Sequence, residues 1–342
     1  KGERVKGDLK RAIGDAERAV AASLGAKARS AILLGHYAQQ HPDYAVLVDI
    51  AREIGRVTGA TVGILPDGGN AVGAHLAGAV PRTGLDARAM IDSPRRAYLV
   101  AGVEMAADMG PRAVEALAAA DFGVVLTAYR DAAAERAHVM LPIAPFTESS
   151  GTFVNMEGRA QAFSACVKPQ GEARPAWKVL RVLGSLLELP GFGAETLDEV
   201  RADIYKPQGA ADLQAWVGGR LSNEGAGVEW EVRARASTLE RIAEFPVYAT
   251  DPIVRRSPPL QKTADGKAAR TARFHPATFA AMGLAAGGRV RVRQGGGEAV
   301  LAAVADAGVP EGCVRVARGV AETAALGEGD VAVDAVRVEA VA

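Results

Sequence analysis

Apolar positions in the first two hundred residues follow two alternating rhythms. Ala31-Ile32-Leu33-Leu34-Gly35 is a short continuous apolar run closed by glycine, the pattern of a strand buried in a parallel sheet. Beyond Pro42-Asp43, the residues Leu47, Ile50, Ala51, Ile54 and Val57 recur at helical spacing until Gly59. That spacing predicts a helix with an apolar stripe and a glycine stop. Thr61 to Leu65, Ala97 to Val103, Phe122 to Tyr129 and His138 to Ala144 repeat the strand pattern, and helices are expected after Asn70 and from Pro111. Strands separated by helical stretches need crossovers, hence a parallel sheet with helices on both faces.

The pattern changes at Gly151. Thr152 to Asn155 and Ala160 to Val167 are extended runs flanking Met156-Glu157-Gly158-Arg159, which predicts a hairpin. Pro175 opens a patterned helix with Trp177, Leu180, Leu183, Leu186 and Leu187, closed by Leu189-Pro190-Gly191. Between Lys206 and Lys267 the pattern weakens. Gly218-Gly219, Asn223, Gly225, Gly227, Pro252, Pro258 and Pro259 suggest a long connection, with one helix expected over Ser237 to Phe245, capped by Ser237 or Thr238. The C-terminal stretch has a short helix from Pro276 to Met282, ended by Gly283, and a strictly alternating Arg289-Val290-Arg291-Val292-Arg293. Further strands are read at Ala299 to Val304, Cys313 to Ala317 and Val331 to Val341, a set that folds most economically as a small closed or nearly closed β-barrel. The expected organisation is a doubly wound parallel α/β domain over 1–206, a connecting segment over 207–267 and a smaller β-barrel domain over 268–342.

Composition narrows the function classes. The chain has 342 residues, of which 49% are hydrophobic, and its 40 basic residues balance 40 acidic ones. Zero net charge and no basic stripe argue against a nucleic-acid partner. No run of 18 apolar residues is present, so no membrane insertion is expected. Two cysteines, Cys166 and Cys313, are too few for an iron–sulfur cluster and do not form a disulfide framework. They read as reduced core thiols of a cytoplasmic protein. The chain begins at Lys1 without methionine, which predicts a segment cut from a longer one.

Candidate chemistry is sparse. Asp67-Gly68-Gly69-Asn70-Ala71-Val72-Gly73 lies where a strand meets a helix, so Gly68, Gly69 and Asn70 offer backbone N–H groups to an anion. The bland reading is a tight turn. The histidines His36, His41, His75, His138 and His275 lack zinc-type spacing, and His41 beside Pro42 reads as a helix-entry residue. Ser149 and Ser150 lack a nucleophile elbow. Glu148, Glu157 and Arg159 stand out as polar groups that either line a cleft at the sheet edge or lock the hairpin by a salt bridge. No catalytic residue and no metal ligand is assigned.

The order strand, E-x-x-G-T-x-x-N-x-E-G-R over Glu148 to Arg159, hairpin, then Gly171 to Trp177 opening a helix, resembles the molybdopterin oxidoreductase superfamily. Leu34-Gly35-His36, His41-Pro42, Gly68-Gly69-Asn70, Asp251-Pro252-Ile253-Val254-Arg255-Arg256 and His275-Pro276-Ala277 through Gly287-Gly288-Arg289-Val290 fit as well. Within it, the whole pattern is most similar to the G-subunit family of bacterial NADH-quinone oxidoreductase, respiratory complex I. The resemblance implies a barrel like the superfamily's dinucleotide-binding domain. It implies electron transfer from NADH to quinone through iron–sulfur clusters held in an N-terminal region absent from these residues, so no cofactor is expected in this segment. It also implies other peripheral-arm subunits as partners and a cytoplasmic location peripheral to the inner membrane. Gly68, Gly69, Asn70, Glu148, Asn155, Glu157 and Arg159 would then be a vestigial cleft. In a molybdenum-bearing relative, Asn155, Glu157 and Arg159 would help enclose the pterin. Two further readings stand beside this one: a fragment of a molybdopterin-binding oxidoreductase such as a formate dehydrogenase, and a freestanding nucleotide-binding α/β protein.

Overall fold

Strand β1 (Ala31–Leu34) and strand β2 (Thr61–Ile64) pair in parallel, Ala31 opposite Thr61 and Leu34 opposite Ile64. The helix Tyr44–Thr58 makes the crossover between them, and Gly59 ends it in the left-handed conformation at φ 77°, which glycine adopts without the Cβ clash of other residues. Val48, Ala51 and Gly55 are the buried face of that helix, the face its 3.6-residue period dictates. The computed structural model describes residues 13–26, 29–81, 83–131, 134–222, 239–328 and 331–336. Asn223, Gly225, Gly227, the Ser237 and Thr238 cap positions and the end of the expected 331–341 strand lie outside the described residues.

The chain divides into two compact units, one of Lys1–Ala79, Phe153–Gln161 and Ala202–Arg235, the other of Val80–Thr152, Ala162–Arg201 and Ala236–Ala342. In the first, the core gathers Val154, Trp216 and Val217, with Val72, Leu76, Ile204 and Leu213 against them. Arg220 lies over the Trp216 ring at 4.6 Å, covering an aromatic face with a cation.

The second unit holds a parallel three-stranded sheet of β3 (Ala97–Ala101), β4 (Phe122–Thr127) and β5 (Val139–Pro142), in that order. Val100, Met105, Ala113, Leu117, Val125 and Ala134 form its core, supplied largely by β3, β4 and the helix Pro111–Ala118. A π-helical turn, Met105–Met109, follows β3. The expected hairpin is present as β6 (Gly151–Val154) and β7 (Ala160–Phe163), a two-stranded sheet. The helix expected after Pro175 runs over Ala176–Leu186.

The same unit contains a six-stranded sheet. Its strands are β8 (Glu240–Ile242), β9 (Thr271–Phe274), β10 (Arg289–Gln294), β11 (Gly297–Ala305), β12 (Cys313–Arg315) and β13 (Val331–Val336), ordered β13-β10-β11-β9-β12-β8. An isolated antiparallel bridge, Leu239 to Val331, joins the two edges, so the curled sheet nearly closes. Alternation does what it predicts: Val290 and Val292 are fully buried while Arg289 and Arg293 point outward. Phe274, Leu301, Val314 and Val316 complete the interior, each fully buried apolar side chain contributing about 1.5–3 kcal/mol.

One expected element is corrected. The helix expected over Ser237 to Phe245 is instead the edge strand β8, which pairs in parallel with β12 from Cys313–Glu240 to Arg315–Ile242. Leu239, Ile242 and Ala243 fit a helical spacing, but the segment is too short for a stable helix and the open edge of β12 offers it backbone partners. Strand β9 and the π turn carry no local sequence signal of their own. No helix among the described residues is long and apolar enough to cross a membrane.

Candidate functional site

The hairpin tip is built by backbone-directed side chains. Asn155 accepts hydrogen bonds at Oδ1 from the N–H groups of Glu157 (3.1 Å) and Arg159 (2.9 Å), an Asx-type closure of the turn. The Asn155 N–H donates to the Arg159 carbonyl at 3.2 Å, and the Gly158 N–H to the Asn155 carbonyl at 2.9 Å. Gly158 has φ 77°, and a Cβ there would lie 2.0 Å from Leu221 Cδ1. Gln214 then grips the turn from both sides: its Nε2 donates to the Gly158 carbonyl at 2.8 Å and its Oε1 accepts from the Ala160 N–H at 2.8 Å.

Asn70 joins the same arrangement. Its Oδ1 accepts the Val154 N–H at 2.8 Å, so the amide that follows the paired glycines is spent on β6. Gly68 and Gly69 precede a helix of only six residues, Ala71–Leu76, and serve as the tight turn between β2 and that helix. Glu157 and Arg159 approach to 3.6 Å with both side chains 68% exposed, a solvated pair that contributes about 1 kcal/mol at most. Glu148 belongs to the other unit, where its Oε2 accepts the Gln170 N–H at 3.1 Å. The structure therefore brings Gly69, Asn70, Asn155, Glu157 and Arg159 into one unit around the hairpin, and gives Glu148 a different partner.

A cluster that sequence reasoning missed lies at the carboxyl ends of β1 and β2. His36 Nδ1 and Asp67 Oδ1 are 2.7 Å apart, and Gln40 Nε2 donates to Asp67 Oδ2 at 2.7 Å. Parallel strands place their ends side by side, so a polar residue just after each of two apolar runs was the available signal. Tyr44 packs nearby, and its phenol is pushed up mainly by burial, with Arg52 opposing and Asp67 adding to the shift. His41 Nδ1 accepts the Asp43 N–H at 3.0 Å, the helix-entry role expected of it. His275 caps the helix Pro276–Ala281 through the Ala277 N–H, and His138 accepts from the Gly123 N–H. Among the described residues no three of His, Cys, Asp and Glu gather as a metal-binding group.

The expectation of two core thiols is corrected: Cys166 is exposed and Cys313 half-buried. Cys166 follows the end of β7 in a bend, outside any packed layer.

A second missed arrangement surrounds Glu104, which is 5% exposed. Arg255 and Arg256 both donate to its carboxylate, Arg255 also reaches Asp108 Oδ1 at 2.6 Å, and Arg256 lies over the Tyr129 ring at 4.2 Å. Hydrogen bonding to Glu104 holds the Arg256 guanidinium above its ordinary range, ahead of the opposing effect of burial. The π turn places Asp108 so that its Oδ2 also accepts the Glu104 N–H at 2.8 Å. An acid directly after an apolar run was the clue, since a buried carboxylate requires a partner.

Comparison with known proteins places these features in a lineage. A family model described as molybdopterin oxidoreductase matches residues 7–186. The G subunit of NADH-quinone oxidoreductase from Rickettsia conorii is 29% identical over 148 residues, covering 41% of this chain and 20% of that protein. Its namesake from Streptomyces coelicolor is 36% identical over 148 residues, covering 41% and 17%. The chain thus spans about a fifth of the length of the curated relatives it matches. Among solved structures, acetylene hydratase from Pelobacter acetylenicus superposes with a TM-score of 0.49 at 18% identity, over 68% of this chain and 39% of that one. The family match extends over more than half of the residues, from the N-terminal region through β1–β7 to the end of the Ala176–Leu186 helix, and the chain belongs to the molybdopterin oxidoreductase family.

Proposed function

We propose that this chain is the C-terminal, cofactor-free scaffold portion of a peripheral-arm subunit of NADH-quinone oxidoreductase, respiratory complex I. The whole assembly would transfer electrons from NADH through iron–sulfur clusters to quinone, with those clusters in the part of the subunit that precedes these residues. The observation that carries this reading is the likeness to the G subunits of two bacteria. Its location would be the cytoplasmic side of the inner membrane, held by other peripheral-arm subunits rather than by a span of its own.

The family also implies a molybdenum pterin, and the residues here do not fit one. Asn70 and Asn155, the two amides of the expected cleft, have their Oδ1 atoms turned to backbone N–H groups of the hairpin. Glu157 and Arg159 stand in solvent at the tip, with both side chains 68% exposed. Asn70 and Asn155 thus act as fold determinants that hold the hairpin in place, which supports a scaffold role.

Molybdenum analysis and pterin fluorescence of the purified chain, together with affinity capture from a host expressing complex I, test this reading. The expected result is no stoichiometric molybdenum or pterin, and co-purification of peripheral-arm subunits. Stoichiometric molybdenum with bound pterin would overturn it in favour of a molybdopterin-dependent oxidoreductase such as a formate dehydrogenase.

A further inference from the structure

The outer face of the barrel sheet carries a polar arrangement of its own. Arg273 on β9 and Arg315 on β12 stand directly opposite each other in the antiparallel register. Like charges so placed repel and destabilise a sheet unless counter-charges reach them. Arg273 spends Nη1 on Asp306 Oδ2 at 2.8 Å, and Arg315 is bonded to Glu244. Both guanidinium side chains nevertheless stay about a third exposed, 29% and 32%. They line a cavity of about 320 Å³. Phe245 and Ala268 give that cavity apolar wall, and the exposed Asp265, from the helix Ala264–Ala268, adds a second carboxylate beside Glu244.

Such a lining discriminates by charge. A simple anion would meet Glu244 and Asp265, and a simple cation would meet the arginine pair. A ligand bearing both signs with an apolar body satisfies every wall at once. We propose that this cavity binds a small zwitterion, an apolar α-amino acid being the simplest example. Its carboxylate bridges Arg273 and Arg315, its ammonium faces Asp265, and its side chain rests on Phe245 and Ala268. The carboxylate meets the solvent-facing parts of both guanidinium groups by charge-assisted hydrogen bonds, and the volume is ample for a residue of leucine size. This site stands apart from the respiratory role proposed above and depends on no part of it.

Calorimetric titration of the full chain with L-leucine, N-acetyl-L-leucine and L-leucinamide is the test. Leucine is expected to bind saturably, with blocking of either its amine or its carboxylate weakening binding about tenfold or more. Asp265→Asn, a change on an exposed side chain, should erase the preference for leucine over N-acetyl-leucine, and Arg273→Gln should abolish binding. Absence of saturable heat with leucine up to about 10 mM, equal binding of all three probes, or an unchanged preference in the Asp265→Asn variant would overturn the proposal.

Discussion

The carboxylate of Glu104 accepts a hydrogen bond from the guanidinium of Arg255, a residue 151 positions further along the sequence. Glu104 is 5% exposed and Arg255 15%, so the pair is shielded on both sides and ties the end of the β3 layer to the segment that leads into the barrel. Removing one partner of a shielded pair leaves an uncompensated charge in a poorly solvated place. Glu104→Ala should therefore cost about 3–5 kcal/mol. Urea denaturation monitored by tryptophan fluorescence would measure it, and Glu104→Gln, which keeps an acceptor oxygen, should lose less. A Glu104→Ala midpoint equal to that of the parent would show that the pair is not structural.

Gly158 combines a left-handed backbone with a filled space. Gly158→Ala meets both the strain of φ 77° and the Leu221 side chain, and is expected to destabilise by about 1–3 kcal/mol. Adding Leu221→Ala relieves the clash but not the backbone strain. The double variant should thus recover part of the loss caused by the glycine change, giving a non-zero coupling in a thermodynamic cycle. Strict additivity of the two changes would refute the contact.

Asn70 supplies an acceptor to β6. Asn70→Ala leaves the half-buried Val154 N–H without its partner, at about 1–3 kcal/mol, while Asn70→Asp keeps an oxygen there and should be milder. Thermal melts of the two variants distinguish an acceptor requirement from a packing requirement, because alanine and aspartate differ in opposite ways on each.

The start of the helix Leu197–Tyr205 should respond to acid. Thr196 and Glu199 form a capping box: the Glu199 N–H donates to Thr196 Oγ1 at 3.2 Å, and Glu199 Oε2 accepts from the N–H groups of Glu195 and Thr196. Those backbone donors, Glu195 first, hold the Glu199 carboxyl below its ordinary value of 4.5. A depressed carboxyl stabilises the fold in its ionised form, so its contribution is complete above 4.5 and fades as pH falls through the lower folded value. Protection of the Glu195 and Thr196 amides, taken relative to their intrinsic exchange rates, should fall on acidification below that range, and Glu199→Ala should show the lower protection at neutral pH already.

Much of the architecture can be read from residue order. The apolar runs at β1 to β5 and the alternation at β10 are local patterns, and burial on one side or both follows from them. The hairpin is legible for the same reason, and Asn155 at its tip stands out through resemblance. What Asn155 does is not legible, since an amide facing a ligand and an amide closing a turn have identical spacing. Glu104 is hidden because its partners are Arg255 and Arg256, and no local rhythm links positions so far apart. His36 and Asp67 escape notice because their meeting depends on β1 and β2 being neighbours, a fact of pairing rather than of either strand. Strand β8 reads as a helix because Leu239, Ile242 and Ala243 satisfy helical spacing, and only the vacant edge of β12 decides otherwise.

The bridge from Leu239 to Val331 has a practical side. A truncation that keeps only the residues from β9 onward would remove β8 and strip β12 of its outer neighbour, exposing a row of unpaired N–H and carbonyl groups. Such a fragment would carry a sticky rim suited to recruiting other extended chains. Excised material is expected to form soluble oligomers or precipitate, whereas a fragment beginning ahead of Leu239 should stay monomeric by light scattering.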